Sequence, residues 1–179
     1  MLKGEIMIGG KVLLLDRDDI NTDEIIPAKY LTEVDKKNLA PYILEDLKLN
    51  NFDPKKDTKD KKVVLTRKNF GCGSSREHAV WVFTENDYKL IIAEGFARIF
   101  RQNAYNSGLL VVELPKDKVD RLIELYKKDP DIEIYADIDN QIIVAKSKNG
   151  EENIKFDISP LYKEIVKEGG WIGYVDKKY

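Results

Sequence analysis

The stretch VVLTRKNFGCGSSREHAVWVFTENDYKLIIA, from Val63 to Ala93, carries the alternation that decides the fold. Val63–Thr66 and Leu90–Ala93 are short apolar runs of the kind that form buried strands, and Ser75–Glu85 between them is predicted to be a helix. Arg67–Gly73 is predicted to be a glycine-containing loop. A strand, a helix and a second strand in this order predict an α/β domain.

The same alternation continues on both sides of this stretch. Further helices are predicted at 36–49, 97–106, 118–128 and 159–167, a third buried strand at 109–114, and meander strands at 132–135, 141–145 and 153–156. Gly4–Leu15 is predicted to form two strands with a turn at Gly9-Gly10, and residues 50–62 an exposed loop. No repeat or linker interrupts the pattern, so residues 1–179 are predicted to form a single domain.

Composition excludes several classes of protein. Lys and Arg total 30 and Asp and Glu total 32, a balance that offers no field for nucleic acid or an anionic membrane. One cysteine, Cys72, excludes an internal disulfide and a four-cysteine iron–sulfur cluster, and one histidine leaves no His-rich zinc site. Without a signal peptide or a long apolar run, and with an unpaired cysteine, a cytoplasmic protein is expected.

The segment Phe70–Ala79 carries the first chemical motif. Its glycines, Gly71 and Gly73, permit unusual backbone angles and close approach of a ligand. The predicted helix start offers free N–H groups, and Arg76 can bind a carboxylate through two hydrogen bonds. Together these features predict a receptor for a carboxylate or an oxyanion.

Other interpretations of the same segment stay open on the residues alone. Ser74-x-x-Glu77 fits a capping box, a purely structural device. Ser74 and His78 could form a catalytic pair, but Gly-x-Ser-x-Gly is absent and no carboxylate is obviously placed to orient the histidine. Cys72 is expected to be a small apolar filler, and His78 a structural residue.

Two further segments are weaker signals. Asp19–Pro27 contains Asn21-Thr22-Asp23-Glu24, which predicts the start of a short helical turn. In Ala97–Asn103, Arg98 and Arg101 lie three positions apart on a predicted helix. The two arginines could bind an anion, although surface ion pairs are the commoner use of such a spacing.

Three motifs together resemble a known family. They are Asp19-x-Asn21-Thr22-Asp23-x-Ile25-Ile26-Pro27, the run Asn69–Ala79, and Phe96-Ala97-Arg98-Ile99-Phe100-x-x-Asn103. From about Gly4 to Leu114 the chain resembles the small subunits of 3-isopropylmalate dehydratase (isopropylmalate isomerase), in the aconitase superfamily.

This resemblance implies a fold, a partner and a reaction. The fold would be a swivelling β/β/α domain of the aconitase C-terminal type. The partner would be a large subunit, in a heterodimer or heterotetramer, that carries a [4Fe-4S] cluster with one iron open to substrate, while this chain holds no cofactor and no metal. The implied hydro-lyase moves the hydroxyl of isopropylmalate by dehydration and rehydration in leucine biosynthesis, so the substrate would be a small hydroxy-dicarboxylate.

The resemblance also assigns roles to individual residues. Ser74 is placed as the base that removes a proton from the carbon next to a carboxylate. Ser75 and Arg76 are similar to the family's binders of the substrate carboxylate. Asp23 resembles an active-site carboxylate that orients these groups.

In the family, the loop that follows the Asp-Asn-Thr-Asp motif reads the side group of the substrate. Here that loop is Lys29–Asp35, in which Leu31 and Thr32 are the candidate substrate-binding residues. It has no arginine, and its two acidic residues would repel a third carboxylate, which favours isopropylmalate or dimethylmalate over homocitrate. Lys29 could still supply a cation, so the small subunit of a homoaconitase or a dimethylmalate dehydratase is the alternative.

An alternative from a different class is a stand-alone binding module for RNA, because some aconitase relatives bind RNA. The even charge balance argues against it, since phosphate binding favours a basic face.

Overall fold

The computed structural model describes residues 7–179, which contain one seven-stranded sheet and seven α-helices. The strands are β1 (Met7–Leu15), β2 (Val63–Thr66), β3 (Leu90–Ala93), β4 (Leu110–Glu113), β5 (Glu133–Asp137), β6 (Ile142–Ser147) and β7 (Gly150–Lys155). The helices are α1 (Thr22–Ile25), α2 (Pro54–Asp57), α3 (His78–Glu85), α4 (Arg98–Asn106), α5 (Lys116–Lys128), α6 (Pro160–Lys167) and α7 (Trp171–Lys178). Two 3-10 helices, at Ala28–Tyr30 and Lys36–Tyr42, lie between α1 and α2.

The long strand β1 joins two halves of the sheet, whose order is β4-β3-β2-β1-β5-β6-β7. Its second half, Val12–Leu15, pairs in parallel with β2, and β3 and β4 continue in parallel beyond it. Its first half, Met7–Lys11, pairs antiparallel with β5, and the β5-β6-β7 meander follows. This arrangement confirms the predicted α/β class and the predicted meander.

The predicted turn at Gly9-Gly10 is wrong, because both glycines lie inside β1. A Cβ atom on Gly9 would lie 2.0 Å from the carbonyl oxygen of Ile134 on β5. The glycine therefore marks a close approach of two strands and not a chain reversal. The start of the predicted first strand, residues 4–6, lies outside the described residues.

The segment 36–49, predicted to be one helix, is instead a 3-10 helix followed by turns. Pro41 lies inside this segment and lacks the backbone N–H that an α-helix needs. Leu44 has a positive φ of 55°, which also breaks a helix. The loop predicted at 50–62 contains the short helix α2, which begins with a proline and is followed by the buried Thr58.

The helices connect and cover the strands. Helix α3 links β2 to β3 and packs against the longer 3-10 helix, α4 links β3 to β4, and α5 packs against β1 and β2. Helices α6 and α7 pack against α4. Helix α6 agrees with the helix predicted at 159–167, with Ser159 as its cap, whereas α7 was not predicted from the sequence. None of the helices within residues 7–179 has both the length and the apolar character needed to cross a bilayer.

The three motif segments follow the carboxyl ends of β1, β2 and β3. The loops concerned are 16–21 after β1, 67–77 after β2 and 94–97 after β3. Because neighbouring parallel strands end at the same edge of a sheet, the fold brings these loops side by side.

Candidate functional site

The loop after β2 is hydrogen-bonded to the loop after β1. The backbone N–H of Gly71 donates to the carbonyl of Ile20 at 2.8 Å, and the N–H of Thr22 donates to the carbonyl of Cys72 at 2.9 Å. Asn21 and Cys72 form an isolated parallel bridge. The parallel pairing of β1 and β2 therefore resumes beyond the ends of the two strands and fixes the first two motifs against each other.

The same loop is tied to the loop after β3. The N–H of Phe70 donates to the carbonyl of Gly95, and the N–H of Ala97 donates to the carbonyl of Phe70, both at 3.0 Å. The buried ring of Phe70 lies edge-on to the rings of Phe96 and Phe100, with centroids 6.2 and 5.3 Å away. This aromatic cluster packs the first turn of α4 beneath the second motif.

Gly71 is required where the loop crosses this cluster. Its φ is +81°, and a Cβ atom there would lie 2.4 Å from Cγ of Phe100. The sequence predicted a close approach at this glycine, but the group that approaches is a ring of the protein itself.

Helix α1 is held by a capping box that places Asp23 beside the second motif. The side chain of Asn21 accepts from the N–H of Glu24 at 2.9 Å, and the Glu24 carboxylate accepts from the N–H of Asn21 at 3.2 Å. Burial raises the pKa of Glu24, but hydrogen bonds from Arg17 and from the Asn21 backbone outweigh it and leave the pKa lowered. The spacing Asn21-x-x-Glu24 is a sequence signal for this box, and only its first half was used in predicting the helical turn.

The helix predicted to begin at Ser75 begins at His78, so the predicted Ser74-x-x-Glu77 capping box is wrong. Glu77 occupies the cap position and makes no side-chain capping bond. Ser74 and Ser75 lie on the preceding loop, where both are exposed. Within residues 7–179 the Ser74 hydroxyl makes no hydrogen bond, while its carbonyl accepts from Thr22 Oγ1 at 2.9 Å. The Ser74 hydroxyl is thus free although its backbone is anchored.

Arg76 follows the two exposed serines in the sequence, and its side chain is only 11 % exposed. Its Nη1 donates to Oδ1 of Asp23 at 2.5 Å and lies 3.5 Å from the carbonyl oxygen of Ile26. Its buried Nε finds no acceptor within the described part of the chain. A buried guanidinium N–H without an acceptor is costly, so an oxygen that reached it would be bound favourably.

His78 holds the neighbouring loop and does not pair with Ser74. Its Nε2 lies 3.1 Å from the carbonyl oxygen of Glu33, and its ring packs on Trp81 with centroids 4.6 Å apart. The interpretation as a Ser–His catalytic pair has no support in this geometry, and the structural role expected for His78 agrees with it.

Cys72 is half-buried beside the carboxylate of Asp19. Burial, and then this negative charge, raise the pKa of the thiol. Because the thiolate is the nucleophilic form, a protonated Cys72 fits the expected structural role and not a catalytic one.

Near the start of the loop at residues 29–35, which is proposed to read the substrate, Tyr30 is bound to Glu45. The Tyr30 hydroxyl donates to Glu45 Oε2 at 2.9 Å, and burial, with this carboxylate, raises the pKa of Tyr30 to about 12. Lys29 lies 3.8 Å from the same carboxylate. Beyond them Leu31 is half-buried and Thr32 is exposed.

A cleft of about 130 Å³ brings residues of all three motifs together. Its lining consists of Thr22, Gly71, Gly73, Ser74, Ser75, Arg76, Ala97, Arg98, Ile99 and Phe100. No carboxylate belongs to this lining, whereas two guanidinium groups do. Asp23 is connected to the cleft through Arg76. Leu31 and Thr32 lie outside the lining of the cleft.

The structure separates the two arginines of the third motif. Arg98 lines the cleft, whereas Arg101 pairs with Glu113 at 3.3 Å. The sequence treated both as one weak candidate, because spacing alone does not tell which side chain has a carboxylate nearby.

A wider hollow of about 610 Å³ lies elsewhere, between residues 40–45 and residues 53–59. It contains none of the three motifs. The smaller cleft is therefore the candidate site, because it is chosen by the chemistry of its lining and not by its size.

Comparisons with known proteins agree with the family resemblance of the three motifs. Residues 6–117 match the family model of the aconitase C-terminal domain. The 3-isopropylmalate dehydratase small subunit of Zymomonas mobilis is 38 % identical over 171 residues, covering 94 % of this chain and 85 % of that protein. The corresponding small subunit of Bacillus velezensis is 33 % identical over 168 residues, covering 89 % and 82 %.

A solved structure shows that the similarity also holds for the three-dimensional fold. The crystal structure of a 3-isopropylmalate dehydratase from Methanocaldococcus jannaschii superposes with a TM-score of 0.77 at 32 % identity, covering 97 % of this chain and 95 % of that one. The predicted fold of the aconitase C-terminal type is confirmed. On this evidence the chain belongs to the family of 3-isopropylmalate dehydratase small subunits, within the aconitase superfamily.

Proposed function

We propose that this chain is the small subunit of a hydro-lyase that interconverts 2-isopropylmalate and 3-isopropylmalate in leucine biosynthesis. Relatives that carry this name align with nearly the whole chain. One observation carries the proposal: a cleft joins an unengaged serine hydroxyl to two guanidinium groups and includes no carboxylate in its lining. Such a lining suits an anionic substrate that must lose a proton from carbon.

Ser74 is the proposed base. Its oxygen takes the proton from the carbon next to a substrate carboxylate, the electron pair of that C–H bond forms the C=C bond, and the hydroxyl leaves the neighbouring carbon. The hydroxyl leaves as hydroxide. Hydroxide then adds to the carbon that lost the proton and Ser74 returns its proton to the other carbon, so that one water is removed and added back in the opposite orientation. Ser74 acts as a base in its alkoxide form, and α3 begins four residues later, so the start of this helix is not placed at Ser74 to stabilise that alkoxide. The guanidinium of Arg76, the residue two positions after Ser74, takes that role.

Ser75 and Arg76 are the proposed grip on one substrate carboxylate. Arg76 is oriented by Asp23 and by the carbonyl of Ile26, which hold one of its nitrogens and restrict its rotation. Asp23 thereby acts on the substrate through Arg76, as a positioning residue. A guanidinium that is already ordered loses less conformational entropy when it binds a carboxylate.

An iron–sulfur cluster does not fit this chain. Cys72 is the single cysteine of the sequence, and within residues 7–179 no three His, Cys, Asp or Glu side chains are grouped to hold a metal ion. The cluster is therefore assigned to a large subunit, and the steps above are those of this chain alone. The open cleft is one side of a site that the large subunit completes, in a heterodimer or heterotetramer.

The loop at residues 29–35 supports isopropylmalate over homocitrate. The pKa of Glu33 is lowered by a hydrogen bond from the backbone of Asp35, which keeps this carboxylate ionised. An ionised Glu33 repels a third substrate carboxylate. Lys29, the cation of this loop, lies beside the carboxylate of Glu45, which offsets its attraction for an anion. Leu31 and Thr32 are the proposed contacts with the isopropyl group.

The proposal is tested by assembling the chain with a cluster-bearing large subunit and assaying 3-isopropylmalate, dimethylmalate and homocitrate. The highest kcat/KM is expected for 3-isopropylmalate. Ser74→Ala should lower kcat by roughly 10²- to 10⁴-fold, the usual contribution of a general base, without affecting assembly. Ser147→Ala is the control, because among residues 7–179 the Ser147 hydroxyl forms hydrogen bonds only within its own turn between β6 and β7. Near-normal turnover by Ser74→Ala would remove Ser74 as the base.

A further inference from the structure

We infer that Arg98 binds the second carboxylate of the substrate, an inference that rests on the proposed function and adds a binding residue to it. A substituted malate carries two carboxylates, and Ser75 with Arg76 accounts for only one of them. The other cation in the lining of the cleft is Arg98.

The charge of Arg76 is already balanced within the protein. Its ion pair with Asp23 has an N–O distance of 2.5 Å, and the Arg76 side chain is largely buried. The pair as a whole is neutral, so Arg76 supplies directional hydrogen bonds more than net attraction. Net positive charge in the cleft has to come from another residue.

Arg98 supplies that charge. Within residues 7–179 it takes part in no ion pair and no side-chain hydrogen bond, and it is exposed at the cleft. It is the first residue of α4, a nine-residue helix with no acidic residue in its first turn and no side-chain cap. The positive end of the helix dipole therefore adds to the guanidinium charge.

The position of Arg98 relative to the serine loop is fixed by the backbone. The preceding residue, Ala97, donates its N–H to the carbonyl of Phe70 at 3.0 Å, one residue before Gly71. The Phe100 ring, in the same turn of α4, packs against Gly71 and Phe70. An anion bound at Ser74 would thus lie in the same cleft as Arg98.

Arg101 provides a matched control on the same helix. It lies three residues further along α4, lies outside the cleft lining, and is paired with Glu113. Substitution at the two positions removes the same charge from the same helix, so a difference in effect between them reports on the cleft.

The test compares Arg98→Gln, Arg98→Lys and Arg101→Gln in the complex with the large subunit, using 3-isopropylmalate. Arg98→Gln should raise KM about ten- to hundredfold with kcat changed less than about threefold, the loss expected for one charge-assisted contact made in ground and transition states alike. Arg98→Lys should recover part of the loss, and Arg101→Gln should leave KM within about twofold of the unaltered enzyme.

Two results would overturn the inference while leaving the proposed function intact. One is an unchanged KM for Arg98→Gln when the unaltered complex is active. The other is weakened assembly of Arg98→Gln, measured as the Kd for the large subunit, which would make Arg98 a subunit contact. An unaltered complex that turns over none of the three substrates would instead overturn the proposed function, and the inference with it.

Discussion

Thr22 shows how a single buried hydroxyl sets the position of an exposed one. Its side chain is 2 % exposed, and Oγ1 donates to the carbonyl of Ser74 at 2.9 Å. The two residues are 52 positions apart, and the contact holds the backbone of the proposed base while leaving its side chain free. A displacement of about 1 Å at a reacting group can cost about a hundredfold in rate.

Thr22→Val keeps the shape of this side chain and removes its donor. The expected result is a fall of roughly 10- to 100-fold in kcat, with a loss of about 1 kcal/mol in the free energy of unfolding. Thr22→Ser retains the hydroxyl and should keep kcat within about threefold. Steady-state kinetics of the assembled enzyme, with denaturant unfolding of each variant, measures both quantities. Equal rates for the valine and serine variants would contradict the role given to this hydrogen bond.

Thr32 is the position at which a substitution tests whether the loop at residues 29–35 selects the substrate. It is exposed and makes no side-chain hydrogen bond within the described residues, so Thr32→Arg should leave stability nearly unchanged. The added cation should raise the ratio of kcat/KM for homocitrate to that for 3-isopropylmalate by about tenfold or more. A ratio that stays the same would remove this position from substrate selection.

Helix α3 acts as a clamp for the loop at residues 29–35. His78 of α3 contacts the carbonyl oxygen of Glu33. Trp81, also on α3, has its ring centre 4.7 Å from Nζ of Lys36, the first residue of the following 3-10 helix. Helix α3 thus contacts the end of the loop at residues 29–35 at two points, while Tyr30 fixes the other end of this loop through Glu45. The loop is held at both ends although its middle is exposed.

Release of the His78 contact should loosen this loop without unfolding the sheet. In His78→Ala, amide hydrogen exchange at residues 33–38 should accelerate at least about tenfold, while exchange at Val63–Thr66 stays unchanged. His78→Gln can still place a polar nitrogen near the Glu33 carbonyl and should exchange more slowly than the alanine variant. Unaltered exchange at 33–38 in His78→Ala would contradict the clamp.

Elements with a strong local signal were predicted well from the sequence. The apolar runs of β2 and β3 and the periodic face of α5 specify their own structure. The wrong turn at Gly9-Gly10 falls where a distant group decides, the carbonyl of Ile134. The wrong helix at 36–49 has a local cause, Pro41 within the segment. For the candidate site, motif resemblance proposed the residues, but the contacts of Thr22 and His78 join parts of the chain more than 40 positions apart, and no local pattern reveals them.

Across the whole molecule, ion pairs brace the edge of the sheet that carries the site. Arg67, at the end of β2, contacts Asp16 after β1 at 2.8 Å, Glu94 after β3 at 3.4 Å, and Asp120 on α5. Hydrogen bonding from Arg67 lowers the pKa of Asp120. One guanidinium thereby joins three neighbouring elements just beneath the motif loops.

These pairs predict how stability depends on pH. The pKa values of Asp120 and Glu24 are lower in the folded chain than in the unfolded chain, in which both pKa values are about 4. Their stabilisation is therefore complete above about pH 5 and is lost as the pH falls through the folded values. The thermal unfolding midpoint should be level from pH 7 to about 5 and should fall below about pH 4. A midpoint that stays level down to pH 3 would show that these ion pairs do not stabilise the fold.

The meander gives this molecule a convenient place for a fluorescent label. Asn149 is exposed in the turn between β6 and β7, and β7 is the sheet strand furthest from the parallel half that carries the cleft. The native thiol, Cys72, is half-buried with a raised pKa, so it reacts slowly with maleimides. A cysteine introduced by Asn149→Cys would therefore be modified first, and docking of the large subunit could be followed in real time with the cleft left untouched.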